Sequence, residues 1–295
     1  MNVRAITPDD LESIAALLRE DEEALYGTPS PLAANDLREY LSRTKLETDS
    51  WLYEADGVMV AVGWCDGLPG SDVAFAAGAV RQGWKGRGLG SELVARSEAC
   101  ARGHGVARIH QFALGADTAA RSLFESRGYR DVRHFFHMAI ELEERPDVPE
   151  LAIESMTETD LEAFHAALEE SFRDHWEHHP TSFEDWWARH RANPNLDLGL
   201  WFLVRDGDEI AAVARNEANR NGGGYVGALG VRRPWRGKGY AKALLLHTFR
   251  EFWDRGLRRV TLGVDASNPT GATHLYERVG MHVEQENVVF EKTIA

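Results

Sequence analysis

The second half of the chain alternates between helical and strand-like hydrophobic periods. Apolar residues recur at helical spacing over residues 157–170, and two apolar runs around an Asp-Gly turn at 200–215 predict a β-hairpin. The apolar strand 224–231 runs into a basic, Gly-rich loop, and the helix after it has one apolar stripe: Tyr240, Leu244, Leu245, Thr248 and Phe252. Three further elements complete an α+β pattern: a strand at 259–266, a helix around 275–279 and a last strand at 282–294.

The first half of the chain repeats this pattern. Trp51 lies 150 residues before Trp201, and the corresponding Asp-Gly turns keep the same spacing. The spacing has grown by only two residues where Gly128 aligns with Gly280. A register this constant indicates an internal duplication, because unrelated α/β units share turns and strands without keeping their spacing.

The duplication predicts two lobes and a linker between them. The segment 141–153 is charged and contains Pro146 and Pro149, which is typical of a connection between domains. We therefore expect α/β (α+β) lobes at residues 1–143 and 150–295.

The loop after the strand 224–231 contains the candidate binding chemistry. Gly237 and Gly239 allow backbone N–H groups to approach an anion without interference from a Cβ atom, and the helix start adds partial positive charge. Full positive charges come from Arg232, Arg233, Arg236 and Lys238. The expected ligand is a phosphate or pyrophosphate.

Residue spacing separates three kinds of phosphate-binding loop. A P-loop would end in Gly-Lys-Ser/Thr, but here the run 237–239 is followed by Tyr240. A dinucleotide fingerprint would have a third small residue where Lys242 stands. The pattern Gln/Arg-x-x-Gly-x-Gly/Ala fits residues 236–241, and residues 85–90 carry it with Lys in the first place.

Both loops resemble motif A of the GNAT (GCN5-related N-acetyltransferase) superfamily, which holds the pyrophosphate of coenzyme A. The resemblance implies two tandem folds of that family, each with a mixed, mostly antiparallel central sheet flanked by helices, and acetyl-CoA as co-substrate. In the second lobe the implied cofactor-binding residues are Arg236, Gly237, Lys238, Gly239, Tyr240, Ala241 and Lys242. In the first lobe they are Lys85, Gly86, Arg87, Gly88, Leu89 and Gly90.

The segment 264–281 is similar to motif B of the same family, with an Asn at a strand end, a helix bearing Tyr and a Gly-hydrophobic pair. By this resemblance Asn268 contacts the pantetheine arm and Tyr276 lies near the thioester sulfur. The family's splayed strand, whose backbone N–H polarises the acetyl carbonyl, is matched by Leu229, Gly230 and Val231.

Acyl transfer explains why these groups are needed. Amine attack on a thioester places negative charge on the carbonyl oxygen, which a fixed N–H at Val231 would stabilise most in the transition state. The departing thiolate needs a proton, which the hydroxyl of Tyr276 would supply. The general base is open: many family members carry a carboxylate where Tyr225 stands, so Glu217, a water chain or Tyr225 itself is the candidate.

The first lobe differs at the positions that matter for this chemistry. Phe124 stands where the second lobe has Tyr276, and Ala116 stands where it has Asn268. Because phenylalanine has no proton to donate, we expect a CoA-binding or purely structural first lobe and a catalytic second lobe. Tyr129 is the alternative acid of the first lobe.

The segment 171–190 is rich in histidine, aromatic residues and acids. In the family that the chain resembles, helices at this point form one wall of the acceptor groove, so the segment predicts recognition of a polar or cationic acceptor. The candidate substrate-binding residues are Asp174, His175, Trp176, Glu217 and Tyr225. The alternative is an amphipathic helix whose aromatic residues pack into the core.

Charge and composition exclude several classes of function. The chain has 33 Lys+Arg against 47 Asp+Glu, a formal charge of −14, which would repel a nucleic-acid backbone and suits an amine partner better. Cys65 and Cys100 provide neither a disulfide framework nor metal-ligand spacing, and His175 and His179 have no further ligand after them, so we predict no metal site. A signal segment and an apolar run of membrane-spanning length are both missing, so we expect a cytoplasmic protein without membrane contact.

We therefore expect an acetyl-CoA-dependent N-acetyltransferase that acts on a primary amine of a small molecule, with its chemistry in the second lobe. Two alternatives are a non-catalytic acyl-CoA sensor and a protein or peptide N-acetyltransferase. A pure binder has no need of Tyr276 and Asn268, and peptide acetylation would need an open groove, whereas the Trp-rich segment 171–190 indicates an enclosed one. The acceptor, the acyl chain length and the oligomeric state are left open by the sequence.

Overall fold

The chain folds into two compact units, Met1–Phe135 with Gln285–Ala295 and Phe136–Glu284. They are seen in a computed structural model that describes residues 1–28, 30–67, 70–193, 195–268 and 270–294. Over these ranges no helix has both the length and the apolar character needed to cross a membrane.

The first unit is a sheet with helices packed against it. Its strands are β1 (Asn2–Arg4), β2 (Ser50–Ala55), β3 (Val58–Gly67), β4 (Val73–Val80) and β5 (Arg108–Leu114). Its helices are α1 (Leu11–Tyr26), α2 (Ala34–Leu41), α3 (Leu46–Asp49), α4 (Leu89–Gly103) and α5 (Thr118–Ser126). Strands β1 to β4 pair antiparallel in sequence order, and β5 is parallel to β4.

The chain then enters the second unit through β6 (Arg130–Glu141), and a similar order of elements follows, with the 3-10 helix Leu198–Leu200 in the place of α3. The strands are β7 (Glu154–Ser155), β8 (Trp201–Asp206), β9 (Glu209–Arg220), β10 (Gly223–Val231), β11 (Arg259–Asp265) and β12 (His282–Thr293). The helices are α6 (Leu161–Phe172), α7 (Phe183–Arg191), α8 (Tyr240–Asp254) and α9 (Ala272–Arg278). Short 3-10 helices span Pro8–Asp10, Gln82–Trp84, Glu158–Asp160, Leu198–Leu200 and Arg233–Trp235.

Pairing in the second unit matches that in the first. Strands β7 to β10 are antiparallel neighbours, and β11 is parallel to β10. The prediction of a mixed, mostly antiparallel sheet flanked by helices is thus confirmed in each unit.

Each unit takes one strand from the other half of the sequence. Residues 287–293 of β12 pair antiparallel with residues 108–114 of β5, inside the first unit. The end of β6 correspondingly lies beside β11 in the second unit, where the N–H of Leu142 donates to the carbonyl of Arg258 at 2.7 Å.

This exchange corrects one prediction. The last strand, residues 282–294, does not complete the second lobe, so the compact units differ from the continuous lobes 1–143 and 150–295. Strands β6 and β12 hold the same place in the repeat, and backbone hydrogen bonds to a neighbouring strand do not depend on which copy supplies them.

The helices α1 and α6 begin with the same capping arrangement. The backbone N–H of Thr7 donates to Asp10 Oδ2 at 2.8 Å, and that of Thr157 donates to Asp160 Oδ2 at 3.0 Å. Each threonine hydroxyl donates to the same carboxylate oxygen. These bonds help to fix the turn that leads into each helix, and in the second half of the chain this turn stands where the helical pattern of residues 157–170 begins.

The core of the second unit is aromatic. Phe164 of α6 stacks on Trp201 of β8 with ring centroids 5.4 Å apart, and Trp186 of α7 meets the same indole at 5.6 Å. The stripe predicted on α8 faces this core through Leu244, Leu245, Thr248 and Phe252, which are all buried. These contacts hold α6, α7 and α8 on the sheet that presents the candidate site.

Candidate functional site

The glycine loop of the second unit has the backbone that an anion site needs. Gly237 and Gly239 have φ values of +78° and +85°, which strain any residue with a side chain. Gly239 is the N-cap of α8, and the first intrahelical bond runs from the N–H of Ala243 to its carbonyl at 3.1 Å. The N–H groups of residues 240–242 therefore have no partner inside the helix and can bind a phosphate.

Two of the four predicted loop cations are used inside the protein. Arg232 pairs with Glu170 at 2.6 Å and with Glu209 at 2.9 Å. Arg233 pairs with Asp174 at 2.5 Å. These arginines hold the loop against α6 and its neighbours, which differs from the expectation that their charges face a phosphate.

The remaining cations of the loop point to solvent or tie the loop to the strand before it. Arg236 donates to the carbonyls of Val231 at 3.1 Å and Ser171 at 3.3 Å. Lys238 and Lys242 are exposed, and across the described ranges neither makes a hydrogen bond or an ion pair. Their charges are thus available to a phosphate group, beside Tyr240 and Ala241 at the helix start.

Strands β10 and β11 separate just before the loop. In the pairing that the structure describes they are parallel neighbours only from Gly224 to Val226, although β10 continues to Val231. A register shift against β9 accompanies the separation, between Val226 and Ala228. Such a shift redirects the strand that follows it. The end of β10, with Leu229, Gly230 and Val231, therefore borders the gap between the two strands.

Gly230 is required by the close approach of α6. A Cβ atom at this position would lie 2.7 Å from the Cβ of Ser171. The helix therefore rests on the bare backbone of β10 at the place where the predicted oxyanion donor, Val231, follows.

Tyr276 lies on α9 and is buried in the core of the second unit. Burial, and then the nearby Tyr225, raise the pKa of Tyr276 to about 12. Among the described residues no group hydrogen-bonds its hydroxyl. The side chain is therefore a neutral phenol that keeps its proton available for a ligand.

Asn268 follows β11, in a turn that fixes one side of its amide. Its Oδ1 accepts from the backbone N–H of Thr270 at 2.8 Å and from the hydroxyl of the same residue at 2.6 Å. Within the part of the chain that the structure describes, the amide nitrogen makes no hydrogen bond. Asn268 can therefore donate to a ligand carbonyl.

Glu217 lies in a buried network of charged groups. Its Oε1 accepts from Arg215 at 3.0 Å and from Arg220 at 3.2 Å, and its Oε2 accepts from Asn193 at 3.2 Å. Tyr225 stands opposite Glu217 in the β9–β10 pairing, and the Arg220 guanidinium lies 4.2 Å from the centre of its ring. Both carboxylate oxygens of Glu217 are therefore occupied by donors of the same unit.

The remaining substrate candidates lie beside the loop. Asp174 is engaged by Arg233, so its charge is balanced inside the protein. His175 contacts the ring of Phe172 at 4.3 Å, and burial lowers its pKa. Trp176 is half-buried next to it.

The aromatic segment 171–190 has one part that packs into the core and another that lies near the glycine loop. Trp186 is buried and packs into the core, as the amphipathic-helix alternative predicts. The part before α7 stays near the loop through Asp174 and His175. His178 lies 3.2 Å from Glu169, and the same carboxylate lies 3.7 Å from His165.

The loop of the first unit has the same backbone but different surroundings. Gly86 and Gly88 have φ values of +77° and +89°, and Gly88 caps α4. Lys85 Nζ, however, lies between two carboxylates, 2.7 Å from Asp21 and 3.4 Å from Asp117. Arg87, Leu89 and Gly90 complete this loop, with Arg87 stacked on Trp84 at 4.5 Å.

The sequence alone did not identify the carboxylates Asp21 and Asp117 as part of this loop's surroundings. Asp21 lies 150 residues before Ser171, so a comparison of the two copies over α1 and α6 would have found the exchange of a hydroxyl for an acid. Burial raises the pKa of Asp21, although Lys85 opposes that effect.

The position of the predicted acid in the first unit is apolar. Phe124 is buried against Phe290 of β12, with ring centroids 5.3 Å apart, and against Tyr129 at 5.6 Å. Burial raises the pKa of Tyr129. Strands β4 and β5 pair in parallel over residues 73–76, and no register shift interrupts the pairing of β4 with β3.

Comparison with known proteins agrees with this geometry. The model of the Acetyltransferase (GNAT) family matches residues 11–129 and 161–281. A mycothiol acetyltransferase of Cellulomonas flavigena is 28% identical over 248 residues, 78% of this chain and 71% of that protein. A GCN5-related N-acetyltransferase structure from Sphaerobacter thermophilus aligns with TM-score 0.84 and 32% identity over 99% of this chain and 95% of that one. A tandem GNAT protein of the clavulanic acid biosynthesis pathway shares the fold, with TM-score 0.76 and 15% identity over 100% and 98% of the two chains.

Proposed function

The chain belongs to the acetyltransferase (GNAT) family, and from this premise we propose that it transfers the acetyl group of acetyl-CoA to a primary amine of a small molecule, with the chemistry in the second unit. The family supports acetyl transfer and the co-substrate. The observation that supports this choice of unit is a difference between the two loops. They share a backbone conformation, but in the first loop two carboxylates stand beside the basic residue Lys85.

The second loop is suited to the pyrophosphate of the co-substrate. Residues 237–239 and the start of α8 offer backbone N–H groups, and Lys238 and Lys242 offer charges that no described acid balances. In the first loop the carboxylates of Asp21 and Asp117 stand beside Lys85 and would repel a phosphate.

The acetyl group would lie in the gap between β10 and β11. An N–H at Val231 would then stabilise the oxyanion that forms when the amine attacks the thioester carbonyl. Asn268 would hold the pantetheine arm through its free amide nitrogen.

Tyr276 would protonate the sulfur of CoA as the carbon–sulfur bond breaks. Its raised pKa keeps the phenol protonated, and its burial excludes competing water. The first unit has Phe124 at the matching position and therefore lacks this proton donor.

The proton of the incoming ammonium would leave through water or through Tyr225 and not through Glu217. Both carboxylate oxygens of Glu217 already accept hydrogen bonds, and two of the three donors are guanidinium groups. Tyr225 lies close enough to Tyr276 to act on its pKa, which would place it beside the reacting atoms.

The buried charges around Tyr225 favour one class of acceptor. Arg215 and Arg220 both pair with Glu217, so two guanidinium groups and one carboxylate lie together, with side-chain exposures of 14%, 7% and 5%. An amine that also carries an anionic or hydroxyl group fits this surface better than a polycation does. The mycothiol acetyltransferases that the chain resembles also point to a small-molecule acceptor.

The test is an acetyl-CoA turnover assay by release of free thiol. The panel pairs small primary amines that carry a carboxylate with their amide analogues, and adds amino sugars and a lysine-containing peptide. We expect turnover with small amines, faster for the carboxylated member of a pair. Turnover with the peptide alone would favour protein acetylation, and acetyl-CoA binding without turnover of any amine would favour a sensor.

A further inference from the structure

The first unit contains a cluster of three metal-ligand side chains away from its loop. Asp49 ends α3, Cys100 lies near the end of α4, and His104 follows that helix. The ligand atoms of the three side chains all lie within 4.8 Å of one another. Helix α4 has 15 residues and so places this cluster ~22 Å from the glycine loop at its other end.

The fold makes room for this cluster. A Cβ atom at Gly67 would lie 2.5 Å from the His104 ring, so the glycine allows the imidazole to lie against β3. Cys100 and His104 are four residues apart and therefore share one face at the end of α4. Asp49 is buried and reaches the same face from α3.

The distance between two of the three ligand atoms is close to the spacing of ligands around a tetrahedral metal ion. His104 Nε2 lies 2.9 Å from Asp49 Oδ2. Two ligand atoms bound at about 2.0–2.1 Å to a tetrahedral Zn²⁺ would be ~3.3 Å apart. A shift of a few tenths of an ångström would therefore admit the ion.

We propose that Asp49, Cys100 and His104 bind a zinc ion. Thiolate, imidazole and carboxylate are the three ligand types that Zn²⁺ takes in proteins, and the two anions would balance its charge. The cluster borders an open pocket of about 380 Å³, whose lining includes Thr48 and Trp51. The fourth position therefore faces the pocket and takes a water molecule or a small ligand.

Cys65 is the neighbour of this site and not one of its ligands. Its thiol contacts that of Cys100 and donates to the carbonyl of Ser97 at 3.7 Å. It is fully buried, outside the set of three that faces the pocket. The competing use of Cys65 and Cys100 is a disulfide bond.

Cobalt binding tests the proposal, because Co²⁺ replaces Zn²⁺ and reports its ligands. The full chain is freed of metal with a chelator, reduced, and titrated with Co²⁺. We expect one equivalent to bind, with the intense visible bands of a tetrahedral site and a thiolate-to-cobalt band in the near ultraviolet. Zn²⁺ should displace it and raise Tm, because an ion that binds only the folded state stabilises it.

Four variants complete the experiment. Cys100→Ser and His104→Ala should lose the bands and the rise in Tm, while Cys65→Ser should keep both. His134→Ala is the matched control, since His134 pairs with two carboxylates, Asp131 at 2.9 Å and Glu286 at 2.7 Å, and is not one of the three proposed ligands. Circular dichroism checks that each variant is folded.

Three results would overturn the proposal. The first is a reduced wild-type chain that shows no cobalt bands, and the second is a folded Cys100→Ser variant that keeps them. The third is a Cys65–Cys100 disulfide in the protein as isolated, with no zinc by elemental analysis. None of these results bears on acetyl transfer, which is measured separately.

Discussion

The ammonium group of Lys85 lies 2.7 Å from the carboxylate of Asp21. At the matching point of the second unit Ser171 stands in place of Asp21, and Arg236 donates to its backbone carbonyl at 3.3 Å and lies 3.9 Å from the carboxylate of Asp174. One copy of the loop therefore pairs its basic residue with a buried carboxylate at short distance, whereas in the other the carboxylate contact is longer and comes from Asp174, which also pairs with Arg233. This difference supports the assignment of cofactor binding to the second unit.

Placing a carboxylate beside Arg236 should give the second loop the weaker acetyl-CoA binding that we expect of the first. Ser171→Asp places an acid beside Arg236, as in the first unit, and Ser171→Asn adds a side chain of the same size without charge. We expect Ser171→Asp to weaken acetyl-CoA binding about tenfold or more relative to Ser171→Asn, since a charged hydrogen bond contributes about 1.5–3 kcal/mol. Titration calorimetry measures both, and equal affinities would show that the acid is irrelevant.

Tyr276→Phe should lower kcat and leave acetyl-CoA affinity unchanged. The substitution removes one oxygen and keeps the ring, and a positioned acid contributes roughly 10²–10⁴-fold in rate. The matched control is Tyr129→Phe in the first unit, which should leave kcat unchanged. Single-turnover kinetics isolate the chemical step, and a Tyr276→Phe variant with the wild-type rate there would refute the acid role.

The alkaline side of the pH–rate profile gives a separate test of Tyr276. Burial raises the pKa of Tyr276 to about 12, so the group keeps its proton below that pH and loses it only above. With an ordinary tyrosine as the acid, kcat would begin to fall near pH 10, because the phenol loses its proton at its usual pKa of about 10. We therefore expect the wild-type kcat to show no decline around pH 10. A decline there that is absent from Tyr276→Phe would contradict a buried phenol with a raised pKa.

His190 should make stability depend on pH in the acid range. Burial, and then Arg215, lower the pKa of His190 from 6.5 to about 3. Between these values the unfolded chain binds a proton that the folded chain does not, so stability falls as pH decreases, by at most ~1.4 kcal/mol per pH unit. Urea unfolding across this window should show a steeper loss of stability with falling pH for the wild type than for His190→Gln. Equal losses in the two proteins would show that His190 is not the source of the pH dependence.

Much of the fold could be predicted because the repeat keeps its register. The helix that begins near residue 157 and the stripe on α8 follow from local patterns, and the mixed sheet is what the family resemblance implies. The exchange of β6 and β12 could not be predicted, because the two strands hold equivalent places in the repeat.

Some features of the candidate site could likewise be predicted from the sequence, and others could not. The backbone of the glycine loop follows from the residues at 237 and 239, since φ values of +78° and +85° need glycine. Glu170 and Asp174, which pair with Arg232 and Arg233, lie about 60 residues earlier in the chain, and no local pattern connects them. The sequence alone therefore overstates how many loop cations face a phosphate.

The most direct test of the central claim compares one substitution in the two loops. Gly239→Asp and Gly88→Asp place the same anion at the same helix cap, with φ values of +85° and +89°, so the backbone strain is matched. Measured by thiol release with acetyl-CoA and an accepted amine, Gly239→Asp should abolish turnover and Gly88→Asp should keep kcat near that of the wild type. If Gly88→Asp, folded by circular dichroism, lost as much activity as Gly239→Asp, the chemistry would not reside in the second unit alone.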